Sequence, residues 1–156
     1  MTSLTREAIL EKIEKGESLA GLDLSQADLS YSNLKNADLT GANLKGAYLQ
    51  NANLEGAKLS GANLEEAFLF GSNLKEANLE NAVFSGANLQ DTNMENAILR
   101  NTDLSGLSLF GAQLDGADLE NALLINAKLK RASLVGTNLR NADLSNAHMQ
   151  LSLIHI

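Results

Sequence analysis

The chain repeats itself every five residues. Reading from Leu24 to Ile154 in steps of five gives 27 positions, all apolar, of which 23 are Leu and the others Phe84, Met94, Met149 and Ile154. Two residues ahead of each lies a second series, Leu22 to Ser152, in which Ala fills 19 of 27 places. Ser32, Ser72, Thr92, Thr102, Thr137 and Ser152 are its small substitutes, and Leu22 and Leu107 its large ones. Two residues after each central position, from Gln26 to Leu151, Gly or Asn fills 19 of 26 places. The register holds over about 135 residues without one insertion.

A period of five belongs neither to an α-helix, at about 3.6 residues per turn, nor to a simple strand, at about two. It requires a chain that turns once per repeat. A small and a large apolar residue two apart point inward together, as alternate residues of a short extended segment do. Gly and Asn then mark the corner, because they best tolerate positive φ. A solenoid follows, with Leu stacked on Leu along the axis and Ala keeping the coil narrow. The composition obeys the same code. The 31 Leu, 21 Ala and 18 Asn make up close to half of the 156 residues, and Pro, which would interrupt a backbone ladder, is absent.

Units such as Ala-Asp-Leu-Thr-Gly (37–41), Ala-Asn-Leu-Lys-Gly (42–46) and Ala-Asp-Leu-Glu-Asn (117–121) resemble the pentapeptide repeat family, and the resemblance covers residues 22 to about 150. It implies an all-β solenoid: a right-handed quadrilateral parallel β-helix, with one pentapeptide per face and four to a coil. Residues 20 apart would then be neighbours at about 4.8 Å. Lys35, Glu55, Lys75 and Glu95 form a column of alternating sign in that arrangement, and Glu80, Arg100, Glu120 and Arg140 a second. Asn33, Asn53, Asn73 and Asn93, continued by Gln113, form an amide ladder, and Asn81, Asn101, Asn121 and Asn141 another at a corner. Opposite charges on adjacent strands stabilise and like charges oppose pairing. The alternation therefore agrees independently with the implied coil. The 27 units amount to about 6.75 coils and a rod of about 32 Å.

The two ends differ from the middle. In residues 1–21 the period changes: Thr5 can cap a helix, Ala8, Ile9 and Ile13 form one apolar stripe, and Gly16 suits the helix exit. A short N-terminal capping α-helix over the first open coil is expected, followed by the β-helix over 22–156. At the other end the register runs to Ile154 with no cap in view. Two readings stand there. The end forms a homodimer interface, as the family resemblance implies, or the natural chain continues. The closing Leu-Ser-Leu-Ile-His-Ile (151–156) resembles translated sequencing-adapter read-through, and Leu151, Leu153 and His155 fit the outward pattern poorly.

Little chemistry is offered. The chain has no Cys, and its two histidines, His148 and His155, lie in the last coil. No nucleophile, metal-ligand or phosphate-loop motif occurs, and the glycines sit at fixed corner spacing. Neither a catalytic residue, nor a cofactor, nor a metal site is expected. The net charge of −7 argues against direct nucleic-acid binding. No apolar run is long enough to span a membrane, and the charged start lacks the apolar stretch of a secretory signal. A cytoplasmic protein is the expectation.

Sorting outward residues by face leaves two candidates. The face centred on Leu24 and Leu44 carries Asp23, Glu65, Glu66, Asp103 and Asp143 against Lys45 alone. The next face presents Tyr48, Phe68, Phe70 and Phe110, beside Asp28, Asp91, Lys128, Lys130 and Arg131. Tyr48 and Phe68 should be stacked neighbours there, with Phe70 beside them. Exposed aromatics in a group mark interaction surfaces, although a cross-strand aromatic stack can also serve the sheet alone. The leading expectation is a non-enzymatic interaction or scaffold module with a protein partner on the aromatic strip. The alternative comes from the resemblance, since some members mimic DNA and inhibit or protect DNA gyrase or topoisomerase IV. An acidic side fits that outline, but the acids are few and widely spaced.

Overall fold

A computed structural model describes residues 4–155; residues 1–3 of the expected cap and Ile156 of the closing hexapeptide lie outside the described residues. The chain is a right-handed, four-sided parallel β-helix. All 22 single-residue pairings, from Asp23↔Asn43 to Lys128↔His148, join residues 20 apart in parallel. In the last turn the pairing lengthens into two short strands, β1 (Ser133–Val135) and β2 (Leu153–His155), with Leu134 opposite Ile154.

The corners are the most regular feature. Every fifth residue from Gly16 to Leu151 has positive φ, between 53° and 72°, and no other described residue does. Gly and Asn fill most of these places, but Gln26, Tyr31, Glu66, Glu76, Asp91, Arg131 and Leu151 adopt the same conformation. That costs an ordinary side chain about 1 kcal/mol or more, so the stacked coils on either side impose it. Some corner glycines also sit against the flexible end of a side chain in the coil before. A Cβ on Gly71 would collide with the Asn51 Oδ1 of the coil before it, and one on Gly111 with Asp91 Oδ1.

The interior follows the two inward series. Central residues from Leu29 to Leu134 are at most 1% exposed, as are most of the small residues between them. Where Thr replaces Ala, its hydroxyl finds a carbonyl: Thr92 Oγ1 donates to Leu89 O at 2.8 Å and Thr102 Oγ1 to Leu99 O at 2.7 Å. Toward the last coil the column opens, with Leu139, Leu144 and Met149 half-buried and Ile154 41% exposed.

Asn and Asp immediately before the central residue have a role beyond corners and ladders. Each accepts the amide two residues on, as Asn63 Oδ1 does from Glu65 N at 3.0 Å and Asp103 Oδ1 from Ser105 N at 2.9 Å. This Asx bond starts the turn at each corner. The amide ladders form in part: Asn53 donates to Asn33 at 3.5 Å, Asn73 to Asn53 at 3.3 Å, Asn121 to Asn101 at 3.3 Å and Asn141 to Asn121 at 3.2 Å. Of the charge columns, Lys35–Glu55 at 3.0 Å and Lys75–Glu95 at 3.4 Å are ion pairs. In the second column Arg100 turns instead to Asp118, whose carboxylate lies diagonally across the face.

One seam departs from the pattern. In most coils the central amide donates to the carbonyl 19 residues on, as Leu64 N does to Val83 O and Leu104 N to Leu123 O, both at 2.8 Å. Among the described residues the equivalent contacts from Phe84 to Asp103, Gly86 to Ser105 and Leu89 to Ser108 fall outside good hydrogen-bond geometry, as do the return contacts from Asp103 and Ser108. The pairings Val83↔Asp103 and Asn88↔Ser108 nevertheless keep their register. Phe84 stands in the Leu column and Leu107 in the Ala series, and both are buried. Two oversize side chains therefore meet in adjacent coils at this seam, where a dense core leaves no spare volume for them. A depression of about 310 Å³ lies along the seam, and the buried Ser105 Oγ at its edge has no hydrogen-bond partner.

At the N-terminal end, α1 (Arg6–Glu14) forms as the sequence implies. Thr5 caps it by accepting the Ala8 amide at 3.2 Å. Gly16 N donates to Ile13 O and Glu17 N to Lys12 O, a paired exit that requires the positive φ of Gly16. The packed stripe differs from the expected one. Ile9 is fully buried and Leu4, Leu10 and Ile13 pack against the core, so the contact runs through Leu10 rather than Ala8. Arg6 fastens the helix to the rod, donating to Asp28 O at 2.8 Å and Ser30 O at 2.9 Å. The coil register starts with the buried Leu19, whose amide donates to Asp38 O at 2.8 Å.

Candidate functional site

Four outward faces result, and their chemistry is set by the residues flanking each central position. We designate as face A the one centred on Leu24, Leu44 and Leu64, and as face B the one centred on Leu29, Leu49 and Leu69.

Face B gathers five of the six aromatic residues at its surface or edge. Tyr48 and Phe68 stack with centroids 5.0 Å apart and planes 6° from parallel. This spacing is that of adjacent coils, so the rings lie largely across the rod axis and turn their edges outward. Tyr48, Phe68 and Phe70 are each about 40% exposed. Phe110 stands apart from them. Gln90 lies between it and Phe70 in the same column, and Arg131 covers its ring at 5.8 Å, within cation–π range. Tyr31, at the corner bordering face B, is 76% exposed. The sequence reading passed over it, although its signal was present: an aromatic in a place reserved for Gly or Asn. Together with Asp28, Tyr48 and Gln50 it lines a shallow hollow, where Gln50 Oε1 is buried without a hydrogen-bond partner. Farther along, a depression of about 470 Å³ runs past Phe110, Lys128, Lys130 and His148. The Ser30 hydroxyl and amide, and after them Arg6, hold the Asp28 carboxyl below its ordinary range.

Face A is less acidic in practice than by count. Lys45 lies 3.0 Å from Glu65 and 4.0 Å from Glu66, so it offsets one of the two charges in the densest part. The Glu65 hydrogen bond and charge, then Glu66, raise the Lys45 pKa. Asp23 is lowered first by the Ser25 hydroxyl and accepts Asn43 Nδ2 at 2.9 Å. Asp143 is lowered by Ser145 in the same way. Exposed Val83 and Leu123 interrupt the column that contains Asp103 and Asp143. The five acids therefore form no continuous array. Among the described residues no group of three or more His, Asp and Glu converges closely enough to hold a metal ion.

Comparison with known proteins agrees with the coil geometry. The family model described as pentapeptide repeats matches residues 18–46, 37–75, 47–86, 69–106 and 112–150. The chain belongs to the pentapeptide repeat family. Among solved structures it is similar to HetL of the cyanobacterium Nostoc sp. strain PCC 7120, a pentapeptide repeat protein involved in heterocyst differentiation regulation. The two are 28% identical over 85% of this chain and 74% of that one, with a TM-score of 0.55. It is similar also to Rfr23 of the cyanobacterium Cyanothece 51142, at 32% identity over 74% of this chain and 89% of that one, with a TM-score of 0.52. A trypsin-treated variant of QnrB1, a plasmid-mediated fluoroquinolone resistance protein, shares the fold at 20% identity. The match covers 85% of this chain and 79% of that one, with a TM-score of 0.59. A search of curated protein sequences gave no match.

Proposed function

We propose that the protein is a non-enzymatic interaction or scaffold module that docks a protein partner through face B. The observation that carries this reading is the exposed cluster of Tyr48, Phe68 and Phe70. Exposed Val83, Ile98, Leu123 and Val135 are scattered singly over the other faces, whereas these three rings are neighbours. Contiguous aromatic surface of this kind is enriched where proteins meet. A cytoplasmic location belongs to the same proposal, and no helix among the described residues is long and apolar enough to cross a membrane. Replacing Phe68 and Phe70 together by Ser should leave the circular dichroism and melting temperature unchanged and abolish partner capture. Recovery of the same partners by the double variant would show that the site lies elsewhere. End-to-end association of two copies would cover Leu144, Met149 and Ile154, and a light-scattering mass equal to the monomer at micromolar concentration would remove that element.

Inhibition or protection of DNA gyrase or topoisomerase IV through DNA mimicry is the second reading that the family offers. The likeness to QnrB1 is one of fold. Lys45 offsets one of the two charges of Glu65 and Glu66, and with the apolar interruptions at Val83 and Leu123 face A presents no regular row of charge. A supercoiling assay with purified gyrase decides the matter: inhibition by micromolar protein would restore this reading over the first.

A further inference from the structure

The docking reading of face B leaves the chemistry of the partner open, and the charges of that face narrow it. Among the described residues five of the 12 Lys and Arg have no carboxylate within ion-pairing distance, Lys58 and Arg140 on another face and three together on face B. Lys35, Lys45, Lys75 and Arg100 each sit against a carboxylate. Lys128, Lys130 and Arg131 do not; among the described residues none of the three has a carboxylate within ion-pairing distance. All three lie at one end of face B, where Lys128 pairs with Ser108 and His148 in the neighbouring coils. Of the two carboxylates bordering this face, Asp28 pairs with Arg6, and Asp91 stands two coils before Arg131 in one corner column without an ion pair to it.

The aromatic end has the same electrostatic preference. A ring carries partial positive charge on its edge and negative charge on its face. Tyr48 and Phe68 occupy each other's faces and present their edges outward. They offer apolar area and a weakly positive rim. A net charge of −7 opposes a polyphosphate backbone along the rod. Phe68 and Lys128 are three coils apart along one column. That is about 14 Å at about 4.8 Å per coil, which four or five residues of extended peptide span at about 3.3 Å each.

We infer that face B binds an acidic peptide segment of its partner, laid along the rod axis. An apolar residue rests on Phe68 and Phe70, and carboxylates four or five residues away rest on Lys128, Lys130 and Arg131. The inference rests on the docking reading above and assigns the partner its chemistry.

The test uses a fluorescent synthetic probe, Phe-Phe-Ser-Gly-Ser-Glu-Glu-Glu, and a control with Lys in place of Glu, titrated by anisotropy against the full chain. The probe should bind with an affinity that falls as salt rises, and the Lys control should not bind. Joint replacement of Lys128, Lys130 and Arg131 by Glu should weaken binding about tenfold or more, with the melting temperature unchanged. Phe68→Ser with Phe70→Ser should weaken it as well. If the charge reversal has no effect while the Phe variants lose binding, the acidic partner is wrong and the docking face stands. If the Phe variants have no effect while charge reversal abolishes binding, the aromatic docking reading falls and takes the two-point register with it. Equal binding of both probes, binding of neither at millimolar concentration, or displacement of the acidic probe by a single-stranded oligonucleotide would each overturn the inference.

Discussion

Between residues 33 and 79 each central Leu donates its amide to the following coil in good geometry, while across residues 82–108 five contacts of that ladder fall outside it and the pairing register is unchanged. The two stretches share one code, so the difference isolates what keeps the coils in phase. It is not the full hydrogen-bond ladder. Corners at positive φ persist through both stretches, and so does the inward alternation of small and large residues. Shifting a strand by one residue would turn its buried set to solvent, and this cost holds the register even where the ladder is stretched. A coil can thus accommodate an oversize residue by opening slightly, without slipping.

The largest effect should come from emptying a regular coil. Leu64→Ala removes a fully buried side chain whose surroundings are tightly paired. It should cost about 2–5 kcal/mol in urea unfolding. Phe84→Leu combined with Leu107→Ala restores the code at the seam. We expect a much smaller loss or a gain, with slower hydrogen exchange at the amides of Phe84, Gly86 and Leu89. A loss as large as that of Leu64→Ala, or unchanged exchange, would break the comparison.

Corner substitutions sharpen it. Gly71→Ala meets both a strained φ and the Asn51 side chain, whereas Gly106→Ala, beside the seam, meets only the strained φ. Each should destabilise by about 1 kcal/mol for the backbone alone, with an additional loss at Gly71. Equal melting temperatures for the two variants would remove the role assigned to the Asn51 contact.

The smallest expected effect is on acid stability. Neighbouring hydroxyls and amides hold the carboxyls of Asp23, Asp28, Asp38 and Asp143 below their ordinary values, in each case with the side-chain hydroxyl as the first cause. The folded chain therefore binds fewer protons than the unfolded one in the acid range. Their contribution is present above the unfolded value of about 4 and is lost as pH falls through the lower folded values. Ser25→Ala with Ser145→Ala should raise the pH of acid unfolding slightly. Added salt should change it little, because hydrogen bonds rather than distant charges cause the shifts. A large salt dependence would assign them to ion pairs instead.

The fold was legible because its period is unusual and each residue type has one task in it. Stepping by 20 was enough to set Lys35 beside Glu55 and Tyr48 beside Phe68. It did not find the Arg100–Asp118 pair, because a long side chain reaches diagonally where a column count sees only straight neighbours. Leu10 was missed in the cap contact because helical spacing alone does not set which flank of α1 meets the first coil. Phe84 and Leu107 were visible as departures from the code, but the stretched ladder between them depends on how two adjacent coils share excess volume. The candidate site was legible as an aromatic group and less so as a surface. Nothing in the period shows that Arg131 covers Phe110, or that three cations on the same face lack partners.

The constant offset of 20 makes the chain divisible. Excision of residues 71–90 would join Phe70 to Asp91, a corner following a face as before, and every residue beyond would find the same kind of neighbour one storey lower. Recombination within such a gene alters the molecule by whole storeys and disturbs neither terminus. The separation between the aromatic and cationic ends of face B is therefore quantised, and changes only in increments of about 4.8 Å.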